Sequence, residues 1–549
     1  MDRKALRRVA VGLVMPLFVI GCDLDLTEYN PGGLTAESVF TTPEGFESLV
    51  NAAYSYTRWW YGKEDGFSIS EIGTDLWMSG AGDTHPALTS YQHLDGTESA
   101  VDLLWEKLYA ALNLVNAGIN RIDEAGLPTS LRDVREAELR FLRAFYLWHI
   151  VETWGGVHFT TEETQGVITT ANRTPVEKFY EQIFQDLEYA VEHLPVTTPD
   201  YGRATKPAAE AFLARMHLTR GNYQEAFDLA KKVIEGYGFA LLPNYADLWR
   251  MDNLRNSEIV WAVNYSTVIA NNDLRDPILY PTGHPRGGNN GHLLFGMIYD
   301  REPGMVRDIA NGRPFNRYMP TAFLLDLFDE TRDSRYDASF RSVWYANAPT
   351  RPAGMNLGDT AIYITKYSVP DEVQQSKIYR FYDRDDIYRP DGSPVQRLRY
   401  PDLRKFLDPT RPTVQEQVSG RDAFVIRLAE MYLIAAEAQF NLGNKALAAD
   451  YINVIRERAA IPGHEAEMRV GPDDITVDFI LDERARELAG EQLRWFDLKR
   501  TRKLVERVRM HNPDARAYIQ DFHVVRPIPQ RQLDAVTNKD TFTQNPGYN

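Results

Sequence analysis

With one cysteine in 549 residues, Cys22, the chain has no means of building a disulfide framework. No stretch of eighteen or more apolar residues follows the N-terminal segment, so no membrane-spanning helix is expected in the mature chain. There is no Gly-x-Ser-x-Gly elbow, no His-Glu-x-x-His helix and no Gly-rich phosphate loop, and a lone thiol leaves none to spare for nucleophilic catalysis. Basic residues are also the minority, 61 Lys and Arg against 77 Asp and Glu, for a formal net charge of −16. That balance disfavours nucleic acid and anionic polymers and suits neutral ligands. So many carboxylates form pairs by chance in any linear scan, and a glycosidase pair is defined by separation in space, so no catalytic residue is assigned. Asp383, Asp385, Asp386 and Asp391 crowd one loop but lack the glycine that an EF-hand needs at its sixth position, and no metal or other cofactor is expected there.

What is present begins at the N-terminus. Arg3, Lys4, Arg7 and Arg8 precede a short apolar run over residues 9–20, the pattern of a signal peptide. The run ends at Val19-Ile20-Gly21-Cys22, the setting in which a cysteine is acylated before cleavage, and acylation gives the otherwise partnerless Cys22 a use. Losing residues 1–21, with four basic side chains and one acidic, takes the formal net charge from −16 to −19. Residues 22–41 read as a lipidated tether. Residues 42–549 read as one body, because no long linker divides them.

Helical signals dominate that body. Thr42-Pro43 offers an N-cap and a proline at the first helical position, with Phe46, Leu49 and Ala53 at helical spacing. Leu104, Leu108, Leu112, Val115 and Ile119 repeat the period, as do Leu139, Leu142, Tyr146 and Ile150. Thr174-Pro175-Val176-Glu177 reads as a capping box for a helix that stops at Pro195. Residues 58–98 lose the period and read as irregular. Two segments, 209–234 and 430–455, each pair two helices about a Gly-Asn turn, Gly221-Asn222 and Gly443-Asn444. In each a small residue, Ala214 or Ala436, stands seven positions before its glycine, as in tetratricopeptide-type hairpins. Between them residues 262–420, rich in Pro, Gly, Asn and Asp, read as a large irregular insertion on a mostly α scaffold, the kind of place where binding residues gather. Glu483, Arg484, Glu487, Glu491 and Arg494 recur at helical intervals and read as ion pairs holding a helix in place.

A sugar presents apolar C–H faces and a rim of hydroxyls, so a sugar site needs an exposed aromatic plane beside short polar side chains. Trp105, Trp148, Trp249, Trp261 and Trp495 fall in periodic segments, and Trp154 in a turn; these six read as core. Trp59, Trp60, Trp77 and Trp344 fall in irregular stretches and are the aromatic candidates.

Several motifs in a fixed order resemble the SusD/RagB family of surface nutrient-binding lipoproteins. They are the cysteine motif at Cys22, Leu142-Arg143-Ala144-Phe145-Tyr146 with Trp154-Gly155-Gly156-Val157, and Gly202-Arg203-Ala204-Thr205-Lys206. Next come Ser257-Glu258-Ile259-Val260-Trp261, the stretch from Arg427 to Ala438, and Asn453-Val454-Ile455-Arg456-Glu457-Arg458-Ala459. Glu487-Leu488-Ala489-Gly490-Glu491, Arg494-Trp495-Phe496-Asp497-Leu498-Lys499-Arg500 and the tail Gln544-Asn545-Pro546-Gly547-Tyr548 complete the set. One departure is Gln492, where the family usually has glycine.

The resemblance implies a helical fold with tetratricopeptide-like hairpins, a ligand face of irregular loops, and an outer-membrane TonB-dependent transporter over which the protein acts as a lid. It places Asp75, Trp77 and Tyr91 on one loop of the ligand face and Tyr280, His284, Arg286, Asn289 and Asn290 on another. The implied function is capture of oligosaccharides at the cell exterior. Two alternatives stand beside it: a peptide-binding member of the same family, with a deeper cavity, and a glycoside hydrolase, which needs carboxylates with separated pKa values.

Overall fold

The structure is a computed structural model that describes residues 39–268 and 288–548. The signal peptide, Cys22, most of the tether, and Tyr280, His284 and Arg286 lie outside the described residues. The principal helices are α1 (Pro43–Ser55), α2 (Ser99–Arg121), α3 (Thr129–Trp154), α4 (Val176–His193), α5 (Lys206–Arg220), α6 (Tyr223–Gly236), α7 (Leu428–Asn441), α8 (Lys445–Ala459), α9 (Val477–Leu488), α10 (Arg494–Arg500) and α11 (Leu504–His511). Among the described residues no helix is long and apolar enough to cross a membrane.

Thr42 caps α1 as its sequence predicts, its hydroxyl accepting the Gly45 N–H at 3.2 Å, while Phe46, Leu49 and Ala53 turn inward. The Thr174 capping box does not form. Pro175 itself takes the N-cap position of α4, and the displaced Thr174 hydroxyl donates to the Asn172 side chain at 2.9 Å. Both Gly-Asn hairpins do form. Gly221 and Gly443 reverse the chain at φ +79° and +85°, a region that L side chains avoid, and Ala214 and Ala436 are buried where the helices approach. Successive helices α2 through α6 pack each on the next. α7 then lies against α6 although about 190 residues separate them, so the two hairpins form one continuous row that α8 extends.

That junction is possible because the insertion leaves and returns at one place. Strand β2 (Ile259–Val263) pairs antiparallel with β9 (Ala423–Arg427), so residues 264–422 enter and exit side by side. Within this span, expected to be irregular, short strands build small sheets. β3 (Tyr318–Pro320) pairs with β1 (Trp77–Ser79), which comes from the 58–98 segment, and β4 (Phe340–Arg341) pairs with β8 (Asp402–Leu403). β5 (Val343–Tyr345), β6 (Thr360–Ile364) and β7 (Arg380–Tyr382) form a three-stranded sheet, β5 antiparallel and β7 parallel to the central β6. Residues 58–98 likewise hold short helices, Glu64–Ser70 and Pro86–Ser90. Elements of two to seven residues are too short to print a period on the sequence.

A buried ion network fastens the insertion to the scaffold. Arg335 donates to Asp333 (2.7 Å), Glu483 (2.8 Å) and Glu487 (3.0 Å), and Arg427 to Glu258 (2.8 Å), Glu487 (2.8 Å) and Glu491 (2.7 Å). Burial pushes the Glu487 carboxyl up, but the guanidinium groups of Arg458, Arg427 and Arg335 more than offset this and hold it at about 2. The acidic and basic residues of the α9 segment thus serve as the structural ion pairs that their spacing predicts. Removing one partner from such a pair leaves an uncompensated charge in the interior, at a cost of about 3–5 kcal/mol.

Candidate functional site

The six tryptophans read as core are buried. So are the four read as candidates, and here the structure corrects the expectation of an exposed plane. Trp77 sits on β1 with its ring 4.7 Å from Phe295, and Trp60 packs edge-on against His149 at 4.5 Å. Trp59 lies under the Lys107 ammonium, 5.0 Å from its ring, and Trp344 under the Arg341 guanidinium at 5.2 Å. Each fills space between elements joined from distant parts of the chain, which the local sequence does not reveal.

The polar candidates are also engaged internally. Asp75, fully buried, accepts two hydrogen bonds from Arg494 (2.8 and 2.6 Å) and one from Arg507 (2.8 Å). Burial alone would raise its carboxyl, but the two arginines hold it at about 2. Tyr91 is wedged between His523, with ring centroids 4.9 Å apart, and Arg526, at 5.5 Å from its ring. Asn289 is a turn-forming residue: its amide donates to the Arg421 carbonyl at 3.0 Å and its oxygen accepts the Gly291 N–H at 2.8 Å. Asn290, half-buried, donates its backbone N–H to Gly62 at 2.8 Å. The acidic loop is accounted for in the same way, with Asp383 capping the turn Arg384–Ile387 and Asp391 paired to Arg516 at 2.6 Å. Among the described residues no group of three or more His, Cys, Asp or Glu could hold a metal ion.

Partly exposed aromatic rings gather instead on the β5–β6–β7 sheet. In the register Val343 faces Tyr363 and Tyr363 faces Phe381, so these three share a face; Trp344 and Ile362 pair one residue along and point the other way, into the core. The strand therefore buries Trp344 completely while leaving its neighbour Tyr345 59% exposed. Half-buried Tyr363 and Phe381 stand 5.1 Å apart, and Tyr379 lies nearly parallel to Phe381, at 20° and 6.4 Å between centroids. Burial and then the Glu330 carboxylate raise the Tyr363 phenol above its ordinary value, so it stays protonated and able to donate. Thr360 on β6 and the exposed Asn356 supply short polar groups on the approach to this sheet. The result is a shallow aromatic platform with a polar border, suited to the face of a sugar ring.

A second surface is a cleft of about 810 Å³ between the end of α1, the 200–203 loop and the end of β2. Tyr54, Tyr201, Arg58, Arg203, Asp200 and Asn264 line it. Its cations are engaged: Arg58 donates to the Asn264 carbonyl at 2.6 and 3.0 Å, and Arg203 to Glu138 and Asn51, both at 2.7 Å.

A row of paired helices carrying a loop-rich insertion with a shallow aromatic face defines a binding scaffold of the helical-repeat type. The chain belongs to the SusD family, whose profile matches residues 257–548. A second family profile, described as "Starch-binding associating with outer membrane", matches residues 65–218. Among characterised relatives, the SusD-like protein P25 of Formosa agariphila is 28% identical over 439 residues, 78% of this chain and 76% of that protein. The starch-binding protein SusD of Bacteroides thetaiotaomicron is 26% identical over 522 residues, 88% of this chain and 85% of that one. Of solved structures, a laminarin-binding SusD-like protein superposes with a TM-score of 0.72 at 22% identity, covering 92% of this chain and all (100%) of that one. Surface glycan-binding protein A of Bacteroides thetaiotaomicron, in complex with laminarihexaose, superposes at 0.67 with 21% identity, covering 92% and 99%.

Proposed function

We propose that this protein is a surface lipoprotein that captures oligosaccharides and delivers them to a partner TonB-dependent transporter in the outer membrane, lying over its barrel as a lid. The observation that carries the reading is the cluster of Tyr363, Phe381 and Tyr379, with the exposed Tyr345 on the same sheet, on a SusD-family scaffold. Relatives and structural neighbours named for starch, laminarin and laminarihexaose support a neutral glucan as the class of ligand. Acylated Cys22 would hold the body at the outer membrane facing the exterior, in keeping with the outer-membrane association named for the matched family. The protein binds without catalysis. A shallow platform offers few buried contacts and hence modest affinity, which suits capture followed by release.

The decisive experiment is affinity electrophoresis of residues 23–549 through gels cast with laminarin or starch. Retardation that is lost on combining Tyr345→Ala with Phe381→Ala is the expected result. A second reading, peptide capture, is favoured by the volume of the Tyr54–Tyr201 cleft. It gains if no glycan retards the protein and peptides bind with dependence on Tyr201. Release of reducing sugar from a retarding glycan would make the protein a hydrolase. Co-purification of a TonB-dependent transporter with the tagged protein from membranes tests the partnership.

A further inference from the structure

His85 stands where three helices begin. It immediately precedes the short helix Pro86–Ser90, Asp65 lies in the first turn of Glu64–Ser70, and Glu98 caps α2, its carboxylate accepting the Ala100 N–H at 3.4 Å. The histidine is 6% exposed and its ring faces both acids: Nδ1 is 2.7 Å from Glu98, and Nε2 is 3.9 Å from Asp65. Among the described residues His85 is the one cationic side chain at ion-pair distance from either carboxylate.

The surrounding charges have nearer partners. Glu64 pairs with Arg317 at 2.7 Å and accepts the Thr84 hydroxyl, while Asp83 accepts the His85 N–H at 2.8 Å and the Ser79 and Thr89 hydroxyls at 2.6 and 2.7 Å. One turn along α2, Asp102 is joined to Arg531 at 3.2 Å, and the Lys63 ammonium donates to the Gly288 carbonyl. Two of these still act at a distance: the Glu64 charge favours a cationic His85 and disfavours an ionised Asp65, and Lys63 favours the Asp65 carboxylate.

A neutral imidazole has one N–H. Donated to Glu98, it leaves a lone pair on Nε2 facing Asp65, and only the imidazolium offers an N–H to each acid. Burial disfavours the charged ring, but the hydrogen bond and charge of Glu98, then the charges of Asp65 and Glu64, more than offset this and lift it above its ordinary 6.5. Burial also pushes the Glu98 carboxyl up, and the bond and charge of His85 more than reverse this, drawing it below 4.5. Asp65 moves the other way, raised by burial above its ordinary 3.8.

The segment that ends at His85 is the one that grips the insertion. Gly80 and Gly82 donate backbone N–H groups to the Arg317 and Asn316 carbonyls at 2.8 and 2.9 Å, the Asn316 side chain accepts the Ala81 N–H at 2.7 Å, and Arg317 donates back to the Gly82 carbonyl. We propose that His85 is a proton-operated latch between this grip and the frame. As the imidazolium it bridges Asp65 and Glu98 and clamps residues 79–98 to α2; once neutral it releases Asp65, and the hold of residues 80–82 on the insertion loosens. The contribution of the clamp is complete below the ordinary 6.5 and is lost as pH rises through the higher folded value.

Two mass-spectrometric measurements on the full-length protein in detergent test the latch. Deuterium exchange at the imidazole C2 position, followed from about pH 5 to about pH 9, reads the titration of each histidine separately. His85 should titrate above 6.5, and Asp65→Asn, at a partly exposed position, should move its midpoint down. Backbone amide exchange, corrected for its intrinsic pH dependence, should show residues 79–98 losing protection severalfold across that titration while α5 and α6 keep theirs. His85→Gln keeps a side-chain donor and cannot titrate, so its protection over residues 79–98 should stay flat. A His85 midpoint at or below the ordinary value, an unmoved midpoint in Asp65→Asn, or the same pH-dependent loss of protection in His85→Gln overturns the proposal.

Discussion

Arg494 grips Asp75 through two parallel hydrogen bonds of 2.8 and 2.6 Å, joining positions 419 residues apart in a site closed to solvent. Arg507 adds a third bond to the same carboxylate at 2.8 Å. The first loop of the expected ligand face is therefore tied to the C-terminal helices α10 and α11, and Asp75 is part of the frame.

Asp75→Ala should lower the unfolding free energy by about 3–5 kcal/mol, because two arginines lose their partner in the interior. The folded carboxyl, at about 2, lies below its ordinary 3.8. Its contribution is thus present above the ordinary value and is lost as pH falls through about 2. Denaturant titrations in acid should find the wild-type advantage over Asp75→Asn shrinking across that window.

Glu71 has the opposite sign. One oxygen accepts the Leu493 N–H at 3.1 Å, the other has no partner among the described residues, and burial pushes the carboxyl up to about 8. A raised folded value means that the protonated acid stabilises the fold below the ordinary 4.5, and this contribution is lost as pH rises through about 8. Glu71→Gln, which keeps an uncharged amide, should flatten the alkaline fall in stability measured by urea unfolding.

Trp344 and Tyr345 separate folding from binding on one strand. Trp344→Ala should cost about 3–5 kcal/mol of stability, as removal of a large core ring does. Tyr345→Ala should leave the melting temperature nearly unchanged and weaken glycan retention by about tenfold, equivalent to about 1.4 kcal/mol. Affinity gels and thermal unfolding on the same two variants check both halves.

Gln492 adopts φ +62°, and its side chain accepts the Gly62 N–H at 3.1 Å and donates to the Trp60 carbonyl at 2.9 Å. Gln492→Ala keeps the left-handed strain and loses the bridge, whereas Gln492→Gly loses the bridge but relieves about 1–2 kcal/mol of strain. The glycine variant should be the more stable of the two by that margin in chemical denaturation. The bridging amide offsets the left-handed strain at Gln492.

The helical frame was legible because its signals are local. Thr42-Pro43, the periods in α2 and α3, and glycines with small residues seven positions earlier in α5 and α7 each act within a turn or two of their own position. The α9 charges were legible for the same reason, since helical spacing shows which residues share a face. The platform was not. Val343-Trp344-Tyr345 carries an alternation that marks two faces, but three residues do not say which face is inward.

The sequence by itself determined an acidic, helical-repeat protein of one thiol, because composition and hairpin turns depend on neighbours in the chain. Only the tertiary structure decided which aromatic rings meet solvent. β5 buries Trp344 and presents Tyr345 because residues brought from elsewhere in the chain cover one side of its sheet. Asp75 belongs to the frame because Arg494 and Arg507, more than 400 residues away, fold against it.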